Sequence, residues 1–157
     1  MNDSLTFEEF RVGDKWISPA RTVTEDEVMQ FAGLTGDFDP LHVETDSEFE
    51  SPFGQPIAHG LLGLSLVAGL GSDSPRAATT ALVSVREWRF VGPIYFGDTV
   101  HAETEVQEKK SNGRRHGLII WKRRLLNQHG EVLQEGIFET LVRVAASKPV
   151  DGPIASS

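Results

Sequence analysis

The chain has no cysteine. That excludes disulfides, thiolate metal sites and cysteine nucleophiles, and it fits a reducing compartment. Cations are also few: 15 Lys and Arg stand against 23 Asp and Glu, for a net charge of −8. Phosphate backbones are gripped by clustered Lys and Arg, so this balance argues against generic nucleic-acid binding. A small anionic ligand on a local basic patch stays open. Long apolar runs are missing too. The most apolar stretch, Ile57 to Leu70, is too short to span a bilayer and is broken by glycines. Met1 to Phe10 lacks the basic segment followed by an apolar one that marks a secretory signal. The expectation is a cytoplasmic protein with no membrane and no nucleic-acid partner. Its 157 residues suit one domain, read here as residues 1–144. A domain of that size buries roughly 70% of its unfolded surface without staples. Residues 145–157 are rich in Ser, Pro, Ala and Gly and read as a poorly ordered tail.

What is present divides into two halves. Leu5 to Arg21 reads as an extended arm with a Gly13-Asp14 turn. Thr24-Glu25-Asp26-Glu27 has the pattern of a helix capping box. Val28, Phe31, Ala32 and Leu34 then give the spacing of a short amphipathic helix ending at Gly36. Val43 to Gln55 is mostly polar, a solvated segment rather than a calcium loop. Gly60 to Leu70 is apolar on nearly every face, so as a helix it is expected to be buried on nearly every side. Gly63 and Gly69 make sense there if sheet or ligand approaches closely. From Thr80 the pattern becomes strand. Val100, Ala102, Thr104 and Val106 alternate with polar residues, the period of a half-buried strand. Turn signals at Ser111-Asn112-Gly113 and Asn127-Gln128-His129-Gly130 divide the rest into a meander of antiparallel strands. An apolar helix and a sheet with one apolar face satisfy each other if the sheet curves around the helix.

The chemistry concentrates between Gly36 and His42. Gly36 admits backbone angles closed to other residues, and Pro40 ends helical continuity. The stiff turn presents Asp37 and His42, an acid and an imidazole able to exchange protons with a substrate. An Asp/Pro turn with an incidental surface histidine would give the same residues.

Four separated segments resemble one family in order. They are Phe31 to His42, Phe53 to Gly60, Ser65 within the apolar helix, and Phe90 to Asp98. Together they look like the MaoC-like dehydratase family, R-specific enoyl-CoA hydratases included. The resemblance runs from about Phe7 to Val144. It implies an α+β hot-dog fold, a curved antiparallel sheet around one long helix, assembled as a homodimer or a higher oligomer. It implies reversible hydration of a trans-2-enoyl-CoA, or dehydration of an R-3-hydroxyacyl-CoA; an acyl carrier protein thioester is a second possible substrate. It makes Asp37 and His42 the catalytic pair. Gly60 would give its N–H to the thioester oxygen, and Ser65 would support the catalytic residues. Two positions depart from the family pattern: Asp39 stands where Asn is common and Glu44 where Asp is common. Asp39 adds a charge beside the pair, which points to a shifted pH dependence or a different substrate.

The residues agree chemically with those roles. Hydration needs a base for the attacking water, an acid for carbon 2, and polarisation of the carbonyl. A backbone N–H at a helix N-terminus supplies the last of these. No metal and no cofactor is needed. His59 either touches substrate or packs the helix start. A metal site of His42 and His59 with nearby acids is possible only as a ligand list. The phosphates of a CoA have candidate partners in Lys109, Lys110, Arg114 and Arg115, and in Lys122, Arg123 and Arg124. The rival readings are a hot-dog thioesterase and a non-catalytic acyl-thioester-binding subunit.

Overall fold

The computed structural model describes residues 3–44 and 51–146. The polar segment expected between Val43 and Gln55 lies partly outside these residues, and so does most of the expected tail. The N-terminal arm forms a 3-10 turn at Phe7–Glu9 and two short strands, β1 (Lys15–Ile17) and β2 (Arg21–Thr22). Then come α1 (Glu25–Thr35), the single turn α2 (Pro40–Val43) and the apolar helix α3 (Gly60–Leu70). Four long strands complete the fold: β3 (Thr79–Phe90), β4 (Thr99–Asn112), β5 (His116–Leu126) and β6 (Val132–Arg143).

The strands pair antiparallel in the order β1-β4-β5-β6-β3, and β2 also pairs with β4. Val100, Ala102, Thr104 and Val106 all face inward, as their alternation predicts. The simple meander holds for β4, β5 and β6 but not for β3. The arm occupies the free side of β4 through β1 and β2, so β3 lies at the opposite edge beside β6. Residues 91–98 make the crossing. Val91 and Gly92 donate to Leu133 O at one end, and Gly97 donates to Val23 O at the other. The arm is anchored by aromatic packing: Phe10, Trp16 and Trp121 meet edge-on with centroids 5.2–6.2 Å apart. Burying a side chain of this size is worth about 2–3 kcal/mol. The first residues of the expected tail are tied down, with Ala145 N donating to Glu8 Oε2 at 2.9 Å.

Helix α3 lies against β4 and β5. Leu62, Gly63 and Val67 form its covered face. All-round burial is not met in the single chain. Leu61 is 61% exposed, and Ser65, Ala68 and Gly69 are exposed on the same stripe. The sheet covers only one side of the helix, so apolarity on the other side waits for another layer. Gly63 meets its expectation, since a Cβ there would overlap Gln134; Gly69 does not, with nothing within 4 Å.

Candidate active site

Local chemistry builds the turn from Gly36 to His42. Thr24 and Glu27 form the expected capping box, with Glu27 N donating to Thr24 Oγ1 at 3.2 Å. Helix α1 ends where Gly36 takes φ 81° and donates to Ala32 O. Pro40 does more than stop a helix. It is the first residue of α2, and Asp39 caps that turn by accepting from Leu41 N at 2.9 Å. Pro suits this position because its missing N–H would have no partner there. The carboxylate of Asp39 is thereby committed to its own loop. Asp37 Oδ1 accepts from Asp39 N at 3.2 Å, and Oδ2 lies 4.0 Å from His59 Nε2.

The turn is pinned to the segment before α3. Ile57 N donates to Leu41 O, and Ala58 N donates to Ile94 O. His42 Nδ1 lies 2.8 Å from Ile57 O. A carbonyl only accepts, so Nδ1 is the donor and Nε2 is left out of this bond. His59 Nε2 lies 2.9 Å from Asp37 O, which fixes the opposite tautomer. The two imidazoles stack with centroids 4.0 Å apart and a 27° tilt. Phe31 closes the other face of His59, edge-on at 5.0 Å.

The structure therefore brings Asp37, His42, His59 and Gly60 together. One ligand atom each of Asp37, His42 and His59 fall within 4.8 Å of one another. These three make a metal ligand list, but Nδ1 of His42 and Nε2 of His59 are spent as donors to carbonyls. The remaining Nδ1 of His59 is buried without a partner. His59 is 2% exposed and does not line the cavity. Ser65 is not brought to the pair within the single chain. Its hydroxyl donates to Leu61 O at 2.8 Å on the exposed side of α3.

A cavity of about 310 Å³ opens beside the pair, lined by His42, Phe53, Gly60, Phe90, Gln134 and neighbours on residues 91–94. Gly60 is the first residue of α3, and its N–H has no hydrogen-bond partner among the described residues. It therefore presents a free donor at the positive end of the helix dipole. The basic candidates lie elsewhere. Lys109 donates to Phe10 O, Lys110 pairs with Glu108, and Arg124 pairs with Glu103. Arg123 is buried, and burial pulls its guanidinium down to about 10. Arg114 and Arg115 sit at the β4–β5 hairpin beside Arg143. Strand β6 runs nine residues from Gln134 to Arg143, which is about 30 Å at 3.3 Å per residue.

Sequence reasoning missed Gln134, Phe53 and Trp88. The available signal was one amide among the inward residues of the last strand, where Gly136, Phe138, Thr140 and Val142 share its face.

Residues 9–120 match the model of the MaoC like domain. The chain belongs to the MaoC-like dehydratase family. It is 31% identical over 152 residues to 3-hydroxybutyryl-CoA dehydratase of Methylorubrum extorquens, covering 96% of this chain and 90% of that protein. It is 34% identical over 101 residues to an (R)-specific enoyl-CoA hydratase of Rhodospirillum rubrum, covering 64% and 68%. A match to protein MaoC of Klebsiella aerogenes, 34% identical, covers 66% of this chain and 31% of that longer protein. These named dehydratase and hydratase relatives are hydro-lyases. Among solved structures, a monoamine oxidase regulatory protein from Archaeoglobus superposes with a TM-score of 0.84 at 33% identity, covering 91% of this chain and 97% of that one. A double hot-dog protein of Mycobacterium tuberculosis superposes at 0.78 with 20% identity, covering 93% and 46%. The MaoC-like fold is the hot-dog fold, and the six-stranded sheet against α3 has that form. Among the described residues no helix is long and apolar enough to cross a membrane.

Proposed function

We propose that this protein adds water reversibly across the 2,3 double bond of a trans-2-enoyl-CoA, giving the R-3-hydroxyacyl-CoA. One observation carries the reading. Nε2 of His42, left unused by the bond to Ile57 O, and the unpartnered N–H of Gly60 belong to residues lining one cavity, with Asp37 beside His42. A water held between Asp37 and His42 gives its oxygen to carbon 3. The pair takes one proton from that water as the C–O bond forms and passes one proton to carbon 2 as the enolate collapses, so it ends in its starting protonation state. The thioester oxygen gains negative charge meanwhile and is met by Gly60 N–H. A donor placed where charge develops is worth about 100- to 1000-fold in rate. The R configuration rests on the (R)-specific hydratase relative.

CoA is favoured over acyl carrier protein because such carriers are acidic and this chain has net charge −8. The scheme calls on no metal or cofactor. The protein works as a homodimer in this reading. Strand β3 is an edge strand with Leu82, Val83, Val85 and Phe90 exposed, and the stripe of α3 around Leu61 is uncovered. Long apolar edges of this kind are normally paired or covered.

The test is a panel of trans-2-enoyl-CoA thioesters, followed by loss of the conjugated enone absorbance and by the configuration of the product. Hydration to the R product is expected. Release of free CoA would sink the proposal in favour of a thioesterase. Binding without turnover at every chain length would favour a non-catalytic subunit.

A further inference from the structure

Strand β3 carries the described non-glycine residue whose φ is positive, Glu87 at 53°. L residues seldom adopt that conformation, and it clusters at functional sites. Here it belongs to a bulge. Between Arg86 and Arg89, β3 uses one more residue than β6 does between Ile137 and Glu135. The bulge turns Trp88 inward, where its ring meets Phe138 edge-on at 5.5 Å. Trp88 Nε1 donates to Gln134 Oε1 at 3.0 Å. Gln134 Nε2 donates to Gly60 O, also at 3.0 Å. Gln134 is 1% exposed, so neither bond competes with bulk water.

Glycines clear the path for this chain of bonds. A Cβ on Gly63 would overlap the Gln134 amide, and a Cβ on Gly136 would lie 2.6 Å from Trp88 Cε3. Three features of the backbone, one strained residue and two glycines, thus serve one pair of hydrogen bonds. The pair ends on the residue that offers the oxyanion donor.

We infer that Trp88 and Gln134 are positioning residues, a relay from the β3 bulge that fixes Gly60 at the start of α3 so that its N–H meets the thioester oxygen. The relay rests on the hydratase reading of the site and adds residues that act through Gly60 O on the donor. Its direction is set by chemistry. Indole N–H can only donate and a carbonyl can only accept, so the bridging group must accept on one side and donate on the other. A primary amide does this. A neutral carboxylic acid does it as well, through its C=O and O–H. A carboxylate does not, because it would turn a lone pair toward Gly60 O.

That asymmetry supplies the experiment. Wild type, Trp88→Phe, Gln134→Leu and Gln134→Glu are compared on the trans-2-enoyl-CoA that the wild type hydrates fastest, across pH and well below each variant's unfolding temperature. Gln134→Leu should lose kcat by about 10- to 100-fold with KM changed less than about threefold, the scale set by a misplaced group. Trp88→Phe keeps the ring and should lose kcat several-fold at every pH. Gln134→Glu should approach wild type on the acid side and fall toward the Gln134→Leu level on the alkaline side, as its proton is lost. A Gln134→Glu to wild-type ratio that is flat with pH, or kcat within about twofold of wild type in both Trp88→Phe and Gln134→Leu, would overturn the relay alone. Failure of the wild-type protein to hydrate any thioester would overturn the hydratase reading and the relay with it.

Discussion

Two glycines one turn apart in α3 make opposite predictions, and together they separate catalysis from packing. In Gly60→Ala the new Cβ would lie 2.9 Å from Cδ1 and 3.0 Å from Cε1 of Phe90. Phe90 is 54% exposed on the edge strand, so its ring can swing outward. Ala at the first helical position gains at most about 1 kcal/mol over Gly, which roughly offsets the displaced ring. Net stability should stay within about 1 kcal/mol of wild type. The methyl, however, enters the cavity at the point where the thioester oxygen must come within hydrogen-bond distance of Gly60 N. A displacement on the order of 1 Å there costs about 100-fold.

Gly63→Ala runs the other way. Its Cβ would overlap the Gln134 amide and lie 2.7 Å from Ile94 Cδ1. Gln134 and Ile94 are 1% and 2% exposed, so neither has anywhere to go. Overpacking costs about 1–3 kcal/mol, and a broken Gln134–Gly60 bond leaves a buried amide unsatisfied at about 1–3 kcal/mol. Helix propensity returns about 1 kcal/mol, for a net loss of about 1–5 kcal/mol. In a chain of this size that lowers Tm by about 2–20 °C. Thermal unfolding and enoyl-CoA hydration on both variants decide the matter. Full kcat/KM in Gly60→Ala would refute the placement of the thioester oxygen at the start of α3. An unchanged Tm in Gly63→Ala would refute the tight seat of Gln134.

Asp37→Asn and His42→Ala should each lower hydration by about 100- to 10,000-fold while leaving the unfolding temperature within a few degrees, the range for losing a proton-transfer group; full activity in either would remove that residue from the pair. Arg123→Met should be neutral or stabilising. Burial holds the guanidinium near 10, well below its ordinary value. That is a differential of about 3 kcal/mol against the cation, partly offset by the Phe138 ring 4.6 Å away. Urea unfolding reads the balance, and a loss above about 2 kcal/mol would mean that the charge is paired after all. Leu82→Lys, on the exposed β3 edge, should lower the oligomeric state seen by light scattering without changing the secondary structure, and an unchanged mass would move the interface elsewhere.

What was legible in the sequence was what is decided locally. The capping box of α1, the left-handed Gly36 and the turn signals of both hairpins each depend on a few adjacent residues, and each stands where expected. Three of the four resembling segments also converge. Phe31 to His42 supplies the pair and its support, Phe53 to Gly60 supplies a wall and the donor, and residues 90–94 supply the opposite wall. The fourth, Ser65, does not join them within one chain, because its side of α3 faces away from the sheet. The position of β3 was hidden for a different reason. Alternation says that a strand has an inner and an outer face, but not which neighbour it will choose. The arm occupies the free side of β4, which leaves β3 the far edge of the sheet.

The relay was hidden more deeply still. Gly63 and Gly136 look alike in sequence, two small residues in apolar surroundings. Each is a space filled by a side chain from elsewhere, Gln134 from 71 residues away and Trp88 from 48 residues away in the chain. A glycine that serves a turn can be recognised from its neighbours, since the turn is built from them. A glycine that serves a distant side chain has no local mark, because its function is the volume it leaves empty. The same holds for Glu87, whose strained φ serves the direction in which the next residue points. In this protein the groups proposed to touch the substrate are announced by adjacent residues, and the groups proposed to aim them are set by packing across the sheet. A family motif therefore finds Asp37, His42 and Gly60 readily, and only the folded chain identifies what holds Gly60 in place.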